Sequence, residues 1–325
     1  MKPRFVMEFE RPLVELERKL AELRALDVAE TPELAAEIEQ LARDVEQLHE
    51  QTYANLTPWA RVQIARHPER PKTQDYVAGL FADVVELHGD RLFGDDEAVL
   101  TALATIGGRR VAVIGHRKGK NTKENLARNF GSPQPEGFRK AMRMMQLAEK
   151  FSLPIVTFLD TPGAHPGIEA EERGQAWAIA ESLARLSAVR VPVVVVGIGE
   201  GGSGGALAIG FGDRLIMLEN AYYSVSSPEA CASILYKDAG QAETAAGCLK
   251  MTAADLVEFG MADEIVPEPL GGAHVDPEPV IAAVGERIGA ALDALAGTEP
   301  DGLVRTRYER LRAVGVYGDV SATGG

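Results

Sequence analysis

Cysteine is nearly absent: Cys231 and Cys248 are the 2 thiols in 325 residues. They form no C-x-x-C pair, which excludes a disulfide framework, argues against a structural zinc site held by this chain alone, and suits a reducing cytoplasm. Long apolar runs are also missing, and none approaches the ~18 residues that cross a bilayer. The opening MKPRFVMEFERP has no signal-peptide apolar core. A soluble, cytoplasmic chain that spans no membrane is expected. Positive charge is in deficit, with 34 Lys and Arg against 48 Asp and Glu for a net of −14. That balance argues against bulk nucleic-acid binding but leaves room for a local basic patch.

What is present is an ordinary globular composition, 46% hydrophobic and 25% charged, long enough to bury a sizeable core in one or two domains. The chain is organised around residues 191–210, VPVVVVGIGEGGSGGALAIG. A run of valines bounded by turn residues reads as a strand buried on both faces. It opens into a glycine loop containing Glu200 and Ser203 and then, from Gly204, into a helix start. The first N–H groups of a helix lack intrahelical partners and favour negative charge, so this is a place to hold an anion.

Two motifs overlap there. Gly197, Gly199 and Gly202 fit the dinucleotide fingerprint G-x-G-x-x-G, with Glu219 as the following acid. Against it, the element before Asp213 is short and is interrupted by Gly210 and Gly212. Residues 201–205 also fit the G-x-S-x-G nucleophile elbow around Ser203. A serine nucleophile needs a base, and the 6 histidines show no spacing that identifies one. A third reading makes the glycines a device for tight turning and packing alone.

In chain order, Leu13, Leu16, Leu20 and Leu23, then Leu34, Ile38, Leu41, Val45 and Leu48, repeat at threes and fours. These predict two helices in a hairpin, the second capped by Thr31 with Pro32 at its first position. Residues 55–73, rich in proline and arginine, read as a connecting segment. The expected division is 1–73, an N-terminal helical extension and linker, and 74–325, the main domain with C-terminal helices. Tyr76, Val77, Leu80, Phe81, Val84 and Leu87 predict an amphipathic helix that ends near Gly89. A hairpin turning at Gly107-Gly108 follows. A second buried strand covers 155–160, with an acidic helix over 169–189. Strands alternating with helices imply parallel pairing and an α/β core. A helix from 279 to 295, a basic helix around 305–312 and a disordered VSATGG tail complete the reading.

Residues 116–143 run against the chain's charge: Arg117, Lys118, Lys120, Lys123, Arg128, Arg139, Lys140 and Arg143 face only Glu124 and Glu136. The choice there is between a solvated face and a patch that meets phosphates or an acidic partner.

The stretches TFLDTPGAHPGIEAEERGQ, GIGEGGSGGALAIG, YSVSSPEACASIL and EIVPEPLGGAH, with HPERPKTQDYV, GHRKGKNTKENLARNFGSPQPEGFRKA and RYERLR, resemble the α subunit of bacterial acetyl-coenzyme A carboxylase carboxyltransferase. The resemblance runs from about Phe9 to Tyr317, with His165 standing where tyrosine is usual. It implies a crotonase-like (ClpP/crotonase) fold, a spiral of repeated strand-strand-helix units. It implies an α₂β₂ enzyme whose β subunit carries the zinc ribbon, working with a biotin carboxyl carrier protein and biotin carboxylase. The implied reaction moves a carboxyl group from carboxybiotin to acetyl-CoA, giving malonyl-CoA for fatty acid biosynthesis.

Such a transfer develops negative charge on the ureido oxygen of biotin and on the thioester oxygen, and preorganised N–H donors hold such charge, each worth ~3–4 kcal/mol. By resemblance, Gly204 and Gly205 provide the catalytic N–H groups for biotin, with Ala206 sharing the site. Gly163 and Ala164 then line the same cavity and Gly201 and Gly202 shape the turn, while the hole for acetyl-CoA comes from the β subunit. Lys118, Lys120, Lys123 and Arg128 become candidates for the carrier or for CoA phosphates. Competing readings are a stand-alone crotonase-type hydratase or isomerase, which needs a carboxylate pair by the loop, a serine peptidase, which needs a base by Ser203, and a non-catalytic scaffold.

Overall fold

The valines at 193–196 lie in the middle of an eight-stranded sheet in the computed structural model, which describes residues 5–25 and 32–315. In chain order come α1 (Arg11–Arg24), α2 (Pro32–Ala54), α3 (Pro58–Ala65) and α4 (Thr73–Leu80). Then follow β1 (Ala82–Glu86), β2 (Val99–Ile106), β3 (Arg109–His116), α5 (Thr122–Ala127) and α6 (Pro135–Lys150). The centre of the fold is built by β4 (Ile155–Thr161), α7 (Ile168–Glu172), α8 (Gln175–Ala188), β5 (Val193–Gly202) and α9 (Ser203–Leu207). β6 (Arg214–Leu218), β7 (Tyr222–Ser224), α10 (Pro228–Tyr236), α11 (Ala242–Leu249), α12 (Ala253–Glu258), β8 (Glu264–Val266), α13 (Pro277–Leu295) and α14 (Pro300–Ala313) complete it.

The strands run in the order β1-β2-β3-β4-β5-β6-β8, with β7 pairing onto the end of β5. β1, β2 and β3 form an antiparallel meander, and β3 through β8 pair in parallel. The β2–β3 hairpin turns as the sequence predicts: Gly107 and Gly108 have φ of 54° and 78°, the double positive φ of a turn matched to strand twist. Every residue of β4 and of β5 is buried, the signature of parallel strands covered on both faces. α6 packs on β2, β3 and α8, while α13 packs on α4, β5 and β8.

α1 packs against α2, with the Phe9 and Tyr53 rings 5.8 Å apart. The pair closes on the main body through a cluster of Met7, Leu13, Tyr53 and Ile64. Thr31 and the VSATGG tail lie outside the described residues.

Four expectations change. The helix predicted to end near Gly89 stops at Leu80, and residues 82–86 form β1, pairing with β2. The apolar residues had fitted a 3.6 period, but Val84 and Val85 are half exposed and β-branched, and an edge strand gives their backbone a partner. The acidic helix over 169–189 is broken, because Gly174 takes φ 81° between α7 and α8. The segment read as a linker contains α3, whose Ala60, Val62, Ile64 and Ala65 are buried. Finally, the glycines at 197–202 are not a loop: they continue β5 to its end and pair with β4 and β7.

α14 closes the far side of the sheet with a buried guanidinium. Arg307 donates to Asp213 at 3.0 and 2.8 Å, and to the carbonyls of Leu186 (3.0 Å), Val189 (2.8 Å) and Val191 (3.2 Å). All five guanidinium N–H groups are thereby satisfied.

Candidate active site

β4 and β5 are parallel neighbours that end together, with Thr161 opposite Gly201, so the chain leaves both strands on the same edge of the sheet. After β4 it makes the turn Pro162-Gly163-Ala164, which Thr161 Oγ1 ties by accepting from Gly163 N at 3.1 Å. After β5, Ser203 takes φ 53° and starts α9. The two turns lie backbone against backbone. A Cβ on Gly202 would collide with the Pro162 carbonyl, and one on Gly205 would stand 2.5 Å from the carbonyl carbon of Gly163. Only glycine permits that approach. The N–H groups of Gly204 and Gly205, in the first turn of α9, meet no acceptor outside the helix among the described residues.

Beneath the turn sits a buried polar network that spacing did not reveal. Glu200, at the glycine end of β5, accepts from Arg66 Nε at 2.7 Å, Lys118 Nζ at 2.6 Å and the Tyr222 hydroxyl at 2.7 Å. Lys118 also bridges to Asp160 at 2.7 Å, and Asp160 in turn accepts from the Glu200 N–H at 3.1 Å. Burial pushes the Glu200 carboxyl up, but Lys118 and Arg66 outweigh it and hold its pKa at about 2. The opposite balance acts on Lys118, whose pKa is raised by Asp160 and Glu200 in spite of burial. Burial first, then Glu200, raises the Tyr222 hydroxyl well above its ordinary range. Glu200 is thus held charged, Lys118 charged and Tyr222 neutral near neutral pH, which suits orientation rather than proton transfer.

A second buried pair anchors the former linker: Arg70 meets Glu268 at 2.7 and 2.6 Å and donates to the Ile198 carbonyl at 2.8 Å. Between these pairs opens a cavity of about 350 Å³, whose lining includes Arg66, Lys72, Lys118, Lys120, Pro162 and Glu200. Lys72 turns its ammonium to the carbonyls of Pro68 (2.6 Å) and Arg70 (3.3 Å), and burial lowers its pKa.

The residues singled out from sequence scatter unevenly over this arrangement. Gly163, Ala164, Gly202 and Gly205 come together at the paired turns, with Ala206 buried behind them and Gly204 open apart from Ile179. Gly201 instead packs on the Tyr222–Tyr223 backbone. Lys118 and Lys120 reach the cavity, whereas Arg128 stands behind it, donating to the Lys118 carbonyl at 3.1 Å and to Glu124 at 2.9 Å. Lys123 is exposed, with no ion pair among the described residues.

The basic run is largely neutralised inside the molecule. Arg117 pairs with Glu86, Lys120 with Asp75, Arg139 with Asp90 and Lys140 with Asp95. Those carboxylates are distant in sequence, so counting neighbours overstated the charge. The dinucleotide reading fails because its glycines lie in a strand, with Met217 packed against Gly197. Ser203 is exposed, and among the described residues its hydroxyl has no imidazole partner. The residues missed altogether were Arg66, His116, Asp160 and Tyr222. An acid closing the apolar strand FLD was the one visible signal.

A turn that offers bare N–H groups, backed by a buried network of paired charges, suits the holding of an anionic oxygen. Residues 6–315 match the family model described as acetyl co-enzyme A carboxylase carboxyltransferase-like. The chain belongs to this family. It is 53% identical to the acetyl-coenzyme A carboxylase carboxyl transferase subunit alpha of a Thermus thermophilus strain, over 96% of this chain and 99% of that protein. With the same subunit of Listeria welshimeri the identity is 51%, over 96% and 98%. Among solved structures the fold resembles a transcarboxylase 12S core crystallised with methylmalonyl-coenzyme A (TM-score 0.56, 20% identity). That alignment covers 69% of this chain and 41% of the other. It also resembles a chain of a Pseudomonas malonate decarboxylase hetero-tetramer in complex with coenzyme A (TM-score 0.56, 19% identity, covering 68% and 89%). The fold is the crotonase-like α/β architecture expected from the sequence.

Proposed function

We propose that this chain is the α half of a biotin-dependent carboxyltransferase, in which the N–H groups of Gly204 and Gly205, with Ala206 beside them, hold the ureido oxygen of biotin during carboxyl transfer to acetyl-CoA. Biotin, delivered by a separate carrier protein, supplies the activated carboxyl group. The chain supplies fixed dipoles where negative charge develops, each donor worth ~3–4 kcal/mol in comparable sites. The observation that carries the reading is the interlock of Gly205 with Gly163 and Ala164, which holds the first turn of α9 while the N–H groups of Gly204 and Gly205 meet no acceptor outside the helix among the described residues. Holding them fixed in advance removes a reorganisation step from the reaction.

A stand-alone hydratase would use a carboxylic acid or base at the same turn. Asp160 and Glu200 are the carboxylates there, but both are locked on Lys118, and Glu200 at about 2 stays ionised. That observation favours transfer by electrostatic stabilisation over acid–base chemistry.

The site reads as one half. Ile168, Trp177 and Leu207 are 77%, 70% and 41% exposed on α7, α8 and α9, and α8 packs on both of the other two helices. Large apolar side chains exposed beside a functional turn mark a docking face. The partner is a carboxyltransferase β subunit that carries the zinc and the acetyl-CoA oxyanion hole in an α₂β₂ assembly, acting with the biotin carrier and biotin carboxylase in the cytoplasm. No helix among the described residues is long and apolar enough to cross a membrane.

The test is co-expression with a zinc-ribbon β subunit, sizing of the product and assay of biotin-dependent malonyl-CoA formation. Activity in the complex and none in either chain alone is expected. Full activity of the α chain by itself would overturn the reading.

A further inference from the structure

We propose that His116 is a positioning residue, whose Nε2–H clamps the Gly205 carbonyl and thereby fixes the peptide units of α9 that present their N–H groups to substrate. The proposal rests on the reading of the glycine turn given above. His116 ends β3 and is fully buried, so it touches no substrate. Its Nε2 lies 3.1 Å from Gly205 O, a group that can only accept, so this nitrogen carries the proton. In a longer helix Gly205 O would accept from Ile209 N, but Ile209 N goes to Ala206 O at 3.3 Å, which leaves the imidazole as the donor that holds this carbonyl. In a trans peptide the C=O and N–H point in opposite directions. Holding Gly205 O toward His116 therefore turns the Ala206 N–H the other way, in line with those of Gly204 and Gly205.

The ring is itself held on its other side. Nδ1 lies 3.4 Å from the Asp160 N–H, and Thr73 Oγ1 donates to the His116 carbonyl. Burial first, and then the Lys118 charge, lower the imidazole pKa to about 3 against the pull of the Gly205 and Phe158 carbonyls. The ring is thus neutral with one fixed tautomer, and Nδ1 accepts from Asp160. One side chain ties the ends of β3, β4 and β5 to a common frame.

The test uses His116→Gln, His116→Asn and His116→Phe in the assembled carboxyltransferase. The glutamine amide reaches the Nε2 position and keeps a donor for Gly205 O, whereas asparagine reaches only Nδ1 and phenylalanine supplies neither. Misplacement of reacting groups by about 1 Å costs roughly 10²-fold, so kcat should fall by that order in the Asn and Phe variants. Gln should stay within about fivefold, with KM for acetyl-CoA and for the carrier unchanged in all three. Equal losses in Gln and Asn, with unfolding midpoints near wild type, would sink the proposal.

Should the variants fail to assemble, ¹⁵N-imidazole NMR of the wild-type complex decides instead. A protonated Nε2, bare Nδ1 and no titration between pH 8 and 5 are expected; a protonated Nδ1 or a titration near 6.5 overturns it. Gly204→Pro separates the two readings. If it keeps full turnover, the oxyanion reading itself has failed; if it is inactive while His116→Asn is not, only the clamp has.

Discussion

Residues 193–196 and 197–202 belong to one strand, β5, and are all buried, yet they are buried in different company. The first part, four valines, is packed in the main apolar core and paired evenly with β4 and β6. The second alternates glycine with Ile198 and Glu200, and its neighbours are charged: Asp160, Lys118, Arg66 and Arg70. In the first part side chains fill space, and small changes cost stability. In the second the backbone itself is the working surface, and the side chains nearby serve to hold it. Burial alone therefore does not separate core from site; the chemistry of what surrounds the buried atoms does.

The largest effect should come from Glu200→Gln. The change takes one of two carboxylate partners from each cation, since Lys118 keeps Asp160 and Arg66 keeps Glu229. About 3 kcal/mol, the low end for a broken buried pair, should therefore be lost in chemical denaturation of the pure chain. The same variant tests a pH effect. The folded-state pKa of Glu200 is about 2, below its ordinary 4.5. Its contribution to stability is thus complete above 4.5 and is lost as pH falls toward 2. In Glu200→Gln that part of the acid loss should vanish, and an unchanged acid profile would argue against the network.

Next in size is Gly204→Pro, which deletes one donor N–H at a position where a Cβ meets only Ile179, at 3.6 Å. Turnover should drop roughly 10²–10³-fold, while Gly204→Ala, which keeps the N–H, should stay close to wild type in the malonyl-CoA assay. Gly205 is a poorer probe, since any side chain there strikes the 162–164 turn.

Val195→Ala, in the apolar part of the strand, should behave in the reverse sense. About 2 kcal/mol of stability should go, at the low end of core truncations, with activity per folded molecule kept. If Val195→Ala abolished turnover in well-folded protein, the division of β5 into packing and working parts would be wrong. Smallest of all, Lys123→Glu should raise KM for an acidic carrier roughly threefold at low salt and not at high salt. Lys120→Glu, which also breaks the Asp75 pair, should cost slightly more. Equal KM values at low salt would remove this surface from carrier recognition.

Much of the fold was written locally. The valine run, the Gly-Gly hairpin and the proline-started helices each announce themselves within a few residues, and the family motifs identify the chain. What local patterns missed has a common cause. Residues 82–86 fit a helical period because an edge strand with half-exposed valines leaves the same apolar spacing. Glycines 197–202 looked like a loop because their strand character comes from β4 and β7, not from their own propensity. The partners of Glu200 come from residues 66, 118 and 222, brought together only by the packing of α3 and the parallel register of the strands. The glycine turn was legible as a place for an anion; the frame that makes it rigid was not.

Arg307 carries a consequence for the order of assembly. Asp213 and the carbonyls of Leu186, Val189 and Val191 wait for a guanidinium on α14, 94 residues after Asp213. Synthesis proceeds from the N-terminus at ~5–20 residues per second, so β5 and the turn that follows it leave the ribosome several seconds before their last partner. Until α14 arrives, the strand's entry point holds a carboxylate and three carbonyls without their donor. The frame at the start of β5 is thus closed by a helix made well after the strand it serves.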